Sequence, residues 1–338
     1  MKTWFLDQPK QLRLQENPPT TLTDDLVKVK IEQQLLTNSL YSVYTGESKR
    51  EYPLVMGCNA VGVVSEVADK DKTVLRMMDR VAIEPYIPCE QCDECRNDNY
   101  SDCSELVEFG LNHDGLLQNF VDLPATILHQ LPDSLSNEKA LFVNYVSFCL
   151  NIVDALKLEK GRHVAIFSST KTGLILAQLV AYYQAVPIFC SNDEILVAKA
   201  RNLGILYCVN TEEVDVAKEI KIVTGGRMCK ELVFFSDSDF RMKDVYDSAS
   251  QNATICLAGY SNKDSRLSVA QICQKHIKII GVYNGLGNFS SAINLLVTNK
   301  VNVDRFIGEV VNFENLDEVF ENISPEELKL KSKVIKVD

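Results

Sequence analysis

The sequence predicts an α/β protein of two domains, in which a β-rich domain precedes a doubly wound parallel sheet. At 338 residues the chain is longer than one ordinary hydrophobic core supports. Residues 26–31 and 54–67 are rich in valine, with glycines at 57 and 62, which indicates short strands. From residue 163 onward, short apolar strands alternate with helical stretches. That alternation is typical of βαβ units, whose sheets bind ligands at the carboxyl ends of their strands.

The second half divides into alternating segments. Strands are expected at 163–167, 187–190, 206–209, 231–235, 253–258 and 277–282, with helices at 173–184, 193–203, 214–223 and 240–250. An amphipathic stretch at 288–299 follows, and then short strands at 306–311 and 332–337. Ten to fifteen residues between strands, roughly, are enough for one crossover helix each.

Composition and charge exclude several classes of function. The chain is 46% hydrophobic and 24% charged, with a net charge of -11, and it carries no run of Lys and Arg that would attract nucleic acid or an anionic membrane. Residues 1–10 contain no apolar stretch of signal-peptide length, and polar residues interrupt the apolar run 173–190. We therefore expect a cytoplasmic protein that binds neither nucleic acid nor a membrane.

One polar loop, residues 88–104, concentrates the cysteines. Cys89, Cys92, Cys95 and Cys103 form the pattern C-x2-C-x2-C-x7-C. Four thiolates on a short loop can close a tetrahedron around zinc, and such a closed site is structural because it leaves no position for water or substrate. Four free or disulfide-paired cysteines are the alternative, but the two-residue spacings and the reducing compartment favour the metal.

This loop, which Glu84-Pro85 and Pro88 precede, resembles that of the medium-chain dehydrogenase/reductase family, especially its sorbitol and alcohol dehydrogenase branch. The likeness extends along nearly the whole chain. Further segments in register with the family are Val27 to Gly46, Pro53 to Val67, Asp79-Arg80-Val81-Ala82, Asp114-Gly115, Leu131-Pro132-Asp133 and Thr224-Gly225-Gly226.

The resemblance implies a fold and an assembly. It implies a GroES-like catalytic domain at 1–145, a Rossmann dinucleotide-binding domain at 146–285, and a C-terminal segment, 286–338, that completes the catalytic domain. The active site would lie in the cleft between the two domains. Relatives commonly pair through the edge strands of the Rossmann sheet, so a homodimer or homotetramer is expected.

The positions that match the family's catalytic zinc ligands carry other residues. In the family a cysteine, a histidine and a glutamate or cysteine hold a zinc ion that polarises the substrate oxygen; here those positions are Thr37, Cys58 and Asn144. Asn59 and Leu40 replace two carboxylates that orient the ligands. A neutral hydroxyl and a neutral amide are poor zinc ligands, so we expect no catalytic zinc. Cys58 is then expected to be a small buried residue rather than a ligand or a nucleophile.

The dinucleotide-binding loop is also altered. The family's G-x-G-x-x-G becomes Ser168-Ser169-Thr170-Lys171-Thr172-Gly173, which keeps only the glycine that lets helix and strand pack closely. The hydroxyls of Ser168 and Thr170 and the charge of Lys171 still favour phosphate at a helix N-terminus. Ser191 takes the place of the ribose-binding aspartate, which leaves NAD and NADP open. The alternative is a polar turn that binds nothing.

Without zinc, hydride transfer needs another electrophile or proton donor. Ser39 occupies the place of the family's relay serine or threonine and is the first candidate. Other polar side chains on the segments that would face the cleft are Tyr41, Tyr44, Tyr86 and His113.

Two functions remain open at this point. The first is an NAD(P)-dependent oxidoreductase that moves a hydride to or from a small alcohol or carbonyl, or an activated alkene, without a catalytic zinc. The second is a non-catalytic family member that binds a nucleotide, a metabolite or a partner in the interdomain cleft. The expected cofactors are one structural zinc per chain and NAD or NADP.

Overall fold

The computed structural model describes residues 1–23, 26–48, 50–69, 72–236, 238, 240–260 and 266–337. The chain divides into two compact units. The first comprises Met1–Asn144, Phe289–Val297 and Val303–Asp338, and the second comprises Tyr145–Asn288 and Thr298–Asn302. The boundary at 144/145 lies one residue before the expected 145/146, and the boundary at 288/289 lies three residues after the expected 285/286. The sequence did not predict that residues 298–302 belong to the second unit.

The strands, in chain order, are β1 (Lys2–Gln8), β2 (Gln11–Glu16), β3 (Leu26–Leu36), β4 (Leu54–Val55), β5 (Ala60–Val67), β6 (Arg80–Ile83), β7 (Tyr86–Ile87), β8 (Val107–Glu108), β9 (Phe120–Pro124), β10 (Leu128–Gln130), β11 (His163–Phe167), β12 (Val186–Ser191), β13 (Tyr207–Asn210), β14 (Cys229–Phe235), β15 (Ala249–Ala258), β16 (Lys278–Val282), β17 (Ile307–Asn312) and β18 (Ser332–Lys336).

The α-helices are α1 (Asn38–Tyr44), α2 (Asp93–Arg96), α3 (Asn137–Ala140), α4 (Val143–Leu156), α5 (Lys171–Tyr182), α6 (Glu194–Asn202), α7 (Val216–Val223), α8 (Met242–Ser248), α9 (Val269–Lys275), α10 (Phe289–Val297), α11 (Leu316–Asn322) and α12 (Pro325–Leu330).

The first unit is built on a largely antiparallel sheet of order β10-β6-β5-β3-β18-β17, in which β9 also pairs with β3. Along β3, Val27, Val29 and Ile31 are buried while Lys30 is exposed, because successive side chains of a strand point to opposite faces. The last strand of the chain, β18, pairs antiparallel with β3. The C-terminal residues therefore complete the sheet that the N-terminal residues begin.

The second unit contains a six-stranded parallel sheet of order β13-β12-β11-β14-β15-β16. Counted from β11, this is the 3-2-1-4-5-6 order of dinucleotide-binding folds. Its strands are apolar on both faces, as in Val164–Phe167, because helices cover a parallel sheet on both sides. The expected α/β architecture is confirmed. The strand order reverses between β11 and β14, so the carboxyl edge at this point is where such folds bind ligands.

One helical stretch, Asn137–Leu156, is long and apolar enough to cross a bilayer by length and composition. Its most apolar window is 61% buried inside the protein. The core helix of a soluble protein is buried in the same way, so this stretch is weak evidence for a membrane span.

Candidate zinc loop and nucleotide-binding edge

The four cysteines of the 88–104 loop lie together. Their Sγ atoms are all within 4.8 Å of one another, and those of Cys89 and Cys95 are 4.0 Å apart. A tetrahedral zinc ion with Zn–S bonds of about 2.3 Å requires sulfur separations of about 3.8 Å. A small contraction of this cluster meets that requirement, so these residues fit a structural zinc.

Backbone N–H groups of the same loop already point at the sulfurs. The amides of Cys92 and Cys95 donate to Cys89 Sγ and Cys92 Sγ, each at 3.4 Å, and the amide of Cys89 donates to Cys103 Sγ at 3.3 Å. Hydrogen bonds from the amides of Cys95 and Ser104 lower the pKa of Cys92 to about 6. Burial, and then hydrogen bonding to Cys92, raises the pKa of Cys95 to about 12. Ionising the Cys95 thiol therefore calls for a nearby cation, such as a zinc ion among the four sulfurs.

Thr37, the first position that matches a catalytic zinc ligand, is the N-cap of α1. Its Oγ1 accepts a hydrogen bond from the Leu40 amide at 3.1 Å and lies 2.9 Å from Ser39 Oγ. The residue is only 1% exposed. A side-chain oxygen in this position satisfies a free N–H of the helix end, which explains why a threonine serves well here.

The other two positions, Cys58 and Asn144, belong to a row of uncharged side chains that are linked by hydrogen bonds. Asn144 Nδ2 donates to Asn59 Oδ1 at 2.9 Å, and Tyr86 OH donates to Asn144 Oδ1 at 3.4 Å. Asn59 Nδ2 lies 3.5 Å from Cys58 Sγ. Burial raises the pKa of the Cys58 thiol to about 11, with a smaller contribution from Glu108. Cys58, at the end of this row of hydrogen-bonded side chains, is therefore a neutral thiol at physiological pH.

Close backbone contacts fix the turn that carries Cys58. Gly57 has φ +98°, a left-handed conformation that favours glycine, and its carbonyl accepts from the Leu116 amide at 2.8 Å. A Cβ on Gly115 would lie 2.4 Å from the Gly57 carbonyl oxygen, so glycine is required at that approach too. The thiol position is thus set by main-chain geometry.

We expect Cys58 to be nearly inert toward alkylation. With a pKa of about 11, roughly one thiol in a thousand is ionised at pH 8, and only the thiolate reacts. Iodoacetamide labelling at pH 8, with sites located by mass spectrometry, should modify the exposed Cys273 long before Cys58. The structure leaves Cys58 half-buried and not fully buried as expected from the sequence. Labelling of Cys58 at a rate equal to that of Cys273 would show that its assignment as a protonated thiol is wrong.

The loop between β11 and α5 forms the second candidate site. Thr170 is the N-cap of α5 but makes no side-chain cap bond, and its Oγ1 is buried without a hydrogen-bond partner among the described residues. Lys171, the first residue of the helix, is fully buried, and its Nζ lies 5.7 Å from the ring centroid of Tyr145. An uncapped helix N-terminus, an unsatisfied hydroxyl and a buried ammonium together suit an anion.

Serine hydroxyls already occupy two amides of this loop, one from Ser168 within the loop and one from Ser238 after β14. The amide of Ser169 donates to Ser238 Oγ at 3.0 Å, and the amide of Thr170 donates to Ser168 Oγ at 3.2 Å. Ser169 Oγ donates to Asn192 Oδ1 at 2.8 Å. Phosphate binding at this loop would therefore use the start of α5 rather than these two amides.

The remaining residues expected at the site are placed as follows. Ser191 ends β12 fully buried, and its Oγ accepts from the Asp193 amide at 3.2 Å, so its hydroxyl serves the turn. Ser39 is exposed, apart from its contact with Thr37. His113 is exposed as well, with Nδ1 3.1 Å from the Asp114 carbonyl oxygen.

Two residues that sequence analysis did not select lie at the same carboxyl edge. Ser236 follows β14 and Asn284 follows β16, and both carry a buried polar atom, Ser236 Oγ and Asn284 Nδ2, with no hydrogen-bond partner in the described part of the chain. Their positions in the sequence could have indicated them, because both residues are polar and come just after a predicted parallel strand.

Comparisons with known proteins agree with this architecture. The model of the alcohol dehydrogenase GroES-like domain matches residues 23–133. An uncharacterized zinc-type alcohol dehydrogenase-like protein of Haemophilus influenzae is 28% identical over 325 residues, which cover 96% of this chain and 95% of that protein. Sorbitol dehydrogenase of Bacillus subtilis is 22% identical over 344 residues, 100% of this chain and 96% of that protein.

Among solved structures, a short chain alcohol dehydrogenase from Escherichia coli CFT073, complexed with the cofactor NADH, superposes with a TM-score of 0.88. The two share 20% sequence identity over 99% of each chain, so this likeness bears on the fold. Together with the GroES-like domain match and the relatives in sequence, it supports the medium-chain dehydrogenase/reductase family as the family of this chain.

Relative to the medium-chain dehydrogenase/reductase family, the chain departs from the zinc-dependent pattern at the catalytic positions. Thr37 Oγ1 caps a helix and Asn144 Oδ1 accepts from Tyr86, so two of the three positions hold neutral groups that do not ionise near pH 7. One thiol, Cys58, does not hold a catalytic zinc ion without two further anionic or imidazole donors. This donor set does not fit a catalytic zinc. The start of α5, in contrast, fits the pyrophosphate of a dinucleotide.

Proposed function

We propose that the chain is an NAD(P)-dependent oxidoreductase that transfers a hydride to or from a small alcohol or carbonyl, or an activated alkene, without a catalytic zinc. The observation that carries the proposal is the buried, unpartnered Thr170 Oγ1 beside the buried Lys171 at the start of α5. Burying the Thr170 hydroxyl without a partner is costly unless a bound ligand accepts its hydrogen bond. The relatives that are dehydrogenases, and the similar structure that holds NADH, support the same cofactor class.

The residues would divide the work as follows. Lys171 and the first amides of α5 would hold the pyrophosphate, and Thr170 Oγ1 would donate a hydrogen bond to it. A nicotinamide cofactor held there would supply the hydride chemistry. Ser39 remains the first candidate for the proton donor, with its hydroxyl oriented by Thr37 at 2.9 Å. Its effect would be modest, because an unassisted serine is a weak acid.

The zinc-loop proposal concerns stability and not chemistry. We propose that Cys89, Cys92, Cys95 and Cys103 bind one structural zinc per chain, which their mutual distances and the N–H groups aimed at their sulfurs support. A cytoplasmic location and a homodimeric or homotetrameric assembly also stay predictions.

A non-catalytic binding protein is the second candidate function. The amides of Ser169 and Thr170 already have partners within the protein, and the zinc positions are linked by the chain's own hydrogen bonds. Both features would suit a chain that has lost catalysis and binds a nucleotide or metabolite instead. Binding of a dinucleotide without any turnover of alcohols, aldehydes or enones would favour this candidate.

Titration with NADH and NADPH tests the proposed function directly. We expect saturable binding of at least one of them at micromolar to submillimolar concentration, followed by calorimetry or by nicotinamide fluorescence. A Lys171→Met variant should lose roughly ten- to a hundredfold in affinity, since a charge-assisted contact is worth roughly 1.5–3 kcal/mol. Lys199→Met, which removes a lysine from α6, is the matched control and should bind normally. No binding of either dinucleotide at millimolar concentration would refute the proposal.

A further inference from the structure

Tyr86 brings a phenol hydroxyl to the side chains that stand where the family holds a catalytic zinc ion. Its OH donates to Asn144 Oδ1 at 3.4 Å, and Asn144 is one of the three positions that match the zinc ligands. Asn144 Nδ2 in turn donates to Asn59 Oδ1 at 2.9 Å, and Asn59 Nδ2 lies 3.5 Å from Cys58 Sγ. The phenol and two of the three ligand positions are therefore joined in one row, and all four residues belong to the first unit.

Main-chain hydrogen bonds hold both ends of this row. Tyr86 is half-buried and begins β7, which pairs antiparallel with β8 so that Tyr86 lies opposite Glu108. At the other end, the Leu35 amide donates to the Asn59 carbonyl at 3.0 Å, which fixes Asn59 beside the end of β3. Thr37, the remaining ligand position, follows two residues after Leu35. The phenol is therefore anchored to the same sheet strands that carry the altered zinc positions.

The directions of the hydrogen bonds make Tyr86 the donor of its pair. Because Asn144 turns its amide NH2 toward Asn59, its oxygen faces the phenol, and the phenol supplies the proton of their contact. At 3.4 Å the contact is weak, since O–H···O hydrogen bonds are usually about 2.7–2.8 Å long. A hydroxyl proton rotates to suit its acceptor, and catalytic hydrogen bonds are often long before substrate binds. A substrate oxygen that approaches the phenol more closely is therefore the better acceptor.

The charges around the row favour an uncharged substrate group. The four side chains are a phenol, two amides and a thiol, and burial raises the pKa of that thiol, Cys58, to about 11. Glu108 raises it further, so a negative charge lies close to the row. These side chains offer no cation to a carboxylate or a phosphate, whose burial beside them would be costly. The reacting end of the substrate is therefore expected to be a neutral carbonyl.

We propose that Tyr86 is a catalytic residue that takes over the task of the missing metal: its hydroxyl binds the oxygen of a neutral carbonyl substrate and gives that oxygen its proton. The inference rests on the proposed function, because the hydride comes from the cofactor of that function. Asn144 is a positioning residue, which holds the phenol through Oδ1. A phenol is a stronger acid than the serine hydroxyl of Ser39, so Tyr86 takes precedence over Ser39 as the proton donor.

The step balances with the groups named. The hydride from NAD(P)H forms a C–H bond at the carbonyl carbon, the π electron pair of the C=O bond moves to oxygen, and this oxygen takes the proton of Tyr86. With an enone the hydride adds at the β carbon, and Tyr86 protonates the enolate oxygen. A proton from solvent then restores the phenol. The carbonyl or alkene is reduced by the two electrons of the hydride, and NAD(P)H is the reductant.

Steady-state kinetics of a Tyr86→Phe variant of the whole chain test the assignment. D-xylulose, benzaldehyde and 2-cyclohexen-1-one serve as carbonyl probes, with NADH or NADPH as the reductant. We expect the wild type to reduce at least one probe, and Tyr86→Phe to lose about a hundredfold or more in kcat, with dinucleotide affinity by calorimetry within about twofold of wild type. Ser39→Ala should lose less than about tenfold. Tyr182→Phe, which alters an exposed tyrosine at the end of α5, is the matched control and should keep full activity.

A second variant separates chemistry from support of the fold. Asn144→Ala keeps the phenol but removes the group that orients it, so kcat should fall about tenfold while KM and dinucleotide affinity stay unchanged. Because Asn144 acts through Tyr86, the double variant Tyr86→Phe/Asn144→Ala should be no slower than Tyr86→Phe alone. Losses that multiply in the double variant would contradict this coupling and overturn the proposal.

The outcomes are distinct. A fall in kcat without loss of dinucleotide affinity or thermal stability supports the proposal. A kcat of Tyr86→Phe close to that of wild type, or one that falls only together with dinucleotide affinity, overturns it and leaves the proposed function intact. If Tyr86→Phe unfolds several degrees below wild type, Asn144→Ala decides, and an unchanged kcat in that variant overturns the proposal. If the wild-type chain binds neither dinucleotide, or reduces none of the probes, the proposed function and this inference fail together.

Discussion

A Cys103→Ala variant is expected to lose its zinc and to unfold more easily, by on the order of 3 kcal/mol. The zinc loop, residues 88–104, has little else to order it. Its secondary structure is one turn of α-helix at Asp93–Arg96 and a short 3-10 turn at Tyr100–Asp102. Because seven residues separate Cys103 from Cys95, the nearest of the other three cysteines, its sulfur closes the loop on the ion. Denaturant unfolding together with elemental analysis measures both effects.

The matched control is Cys273→Ala in α9. This cysteine is exposed and lies outside the cluster, so its removal should change neither the zinc content nor the unfolding midpoint. Zinc retained in full by Cys103→Ala, with unchanged stability, would contradict the assignment of the four sulfurs as ligands.

The second large effect is expected from Gly173→Ala. A Cβ at this position would lie 2.3 Å from Ser168 Cβ, 2.5 Å from Ser168 Oγ and 3.1 Å from a ring atom of Phe189. The first two contacts are with a short, buried side chain that cannot swing away, so α5 or the loop must shift. We expect a loss of roughly 1–3 kcal/mol in the free energy of unfolding and a weakened affinity for NAD(P)H.

A double variant isolates the cause. Ser168→Gly removes both of the closest atoms and restores a glycine where the family has one, so Ser168→Gly/Gly173→Ala should recover most of the lost stability. The remaining 3.1 Å contact with Phe189 predicts incomplete recovery. If the double variant is less stable than Gly173→Ala alone, the steric account of this glycine is wrong.

The second half of the fold could be predicted because its strands are buried on both faces. β11 and β14 appear in the sequence as apolar runs that helical stretches separate, and a parallel sheet needs both. The hairpin of β1 and β2 carried no such signal. β2, with the sequence QLRLQE, lies at the edge of its sheet with mostly exposed side chains, so the hydrophobic pattern that marks a strand is weak.

The zinc loop was predictable for a different reason. The ligand spacings of Cys89, Cys92 and Cys95 are local, so a short stretch of sequence contains most of the site. Asn284 and Ser236 had no local pattern. Their significance comes from burial without a partner, which depends on how β14, β15 and β16 align, and the sequence does not specify that alignment.

The catalytic zinc positions show the limit of a resemblance. Matching Thr37 and Asn144 to the family's zinc ligands showed that neither residue type is a good zinc ligand. The structure shows their roles: Thr37 caps α1, and Asn144 links Tyr86 to Asn59. Such pairings join residues up to 85 positions apart, which no sequence window contains.

The zinc content of the purified wild-type chain tests the central claim most directly. Elemental analysis, after dialysis against a weak chelator, should give one zinc per chain, and the Cys103→Ala variant should give none. Two zinc ions per chain, or one that persists in Cys103→Ala and disappears in Cys58→Ala, would contradict the assignment of the Thr37, Cys58 and Asn144 positions to a metal-free site.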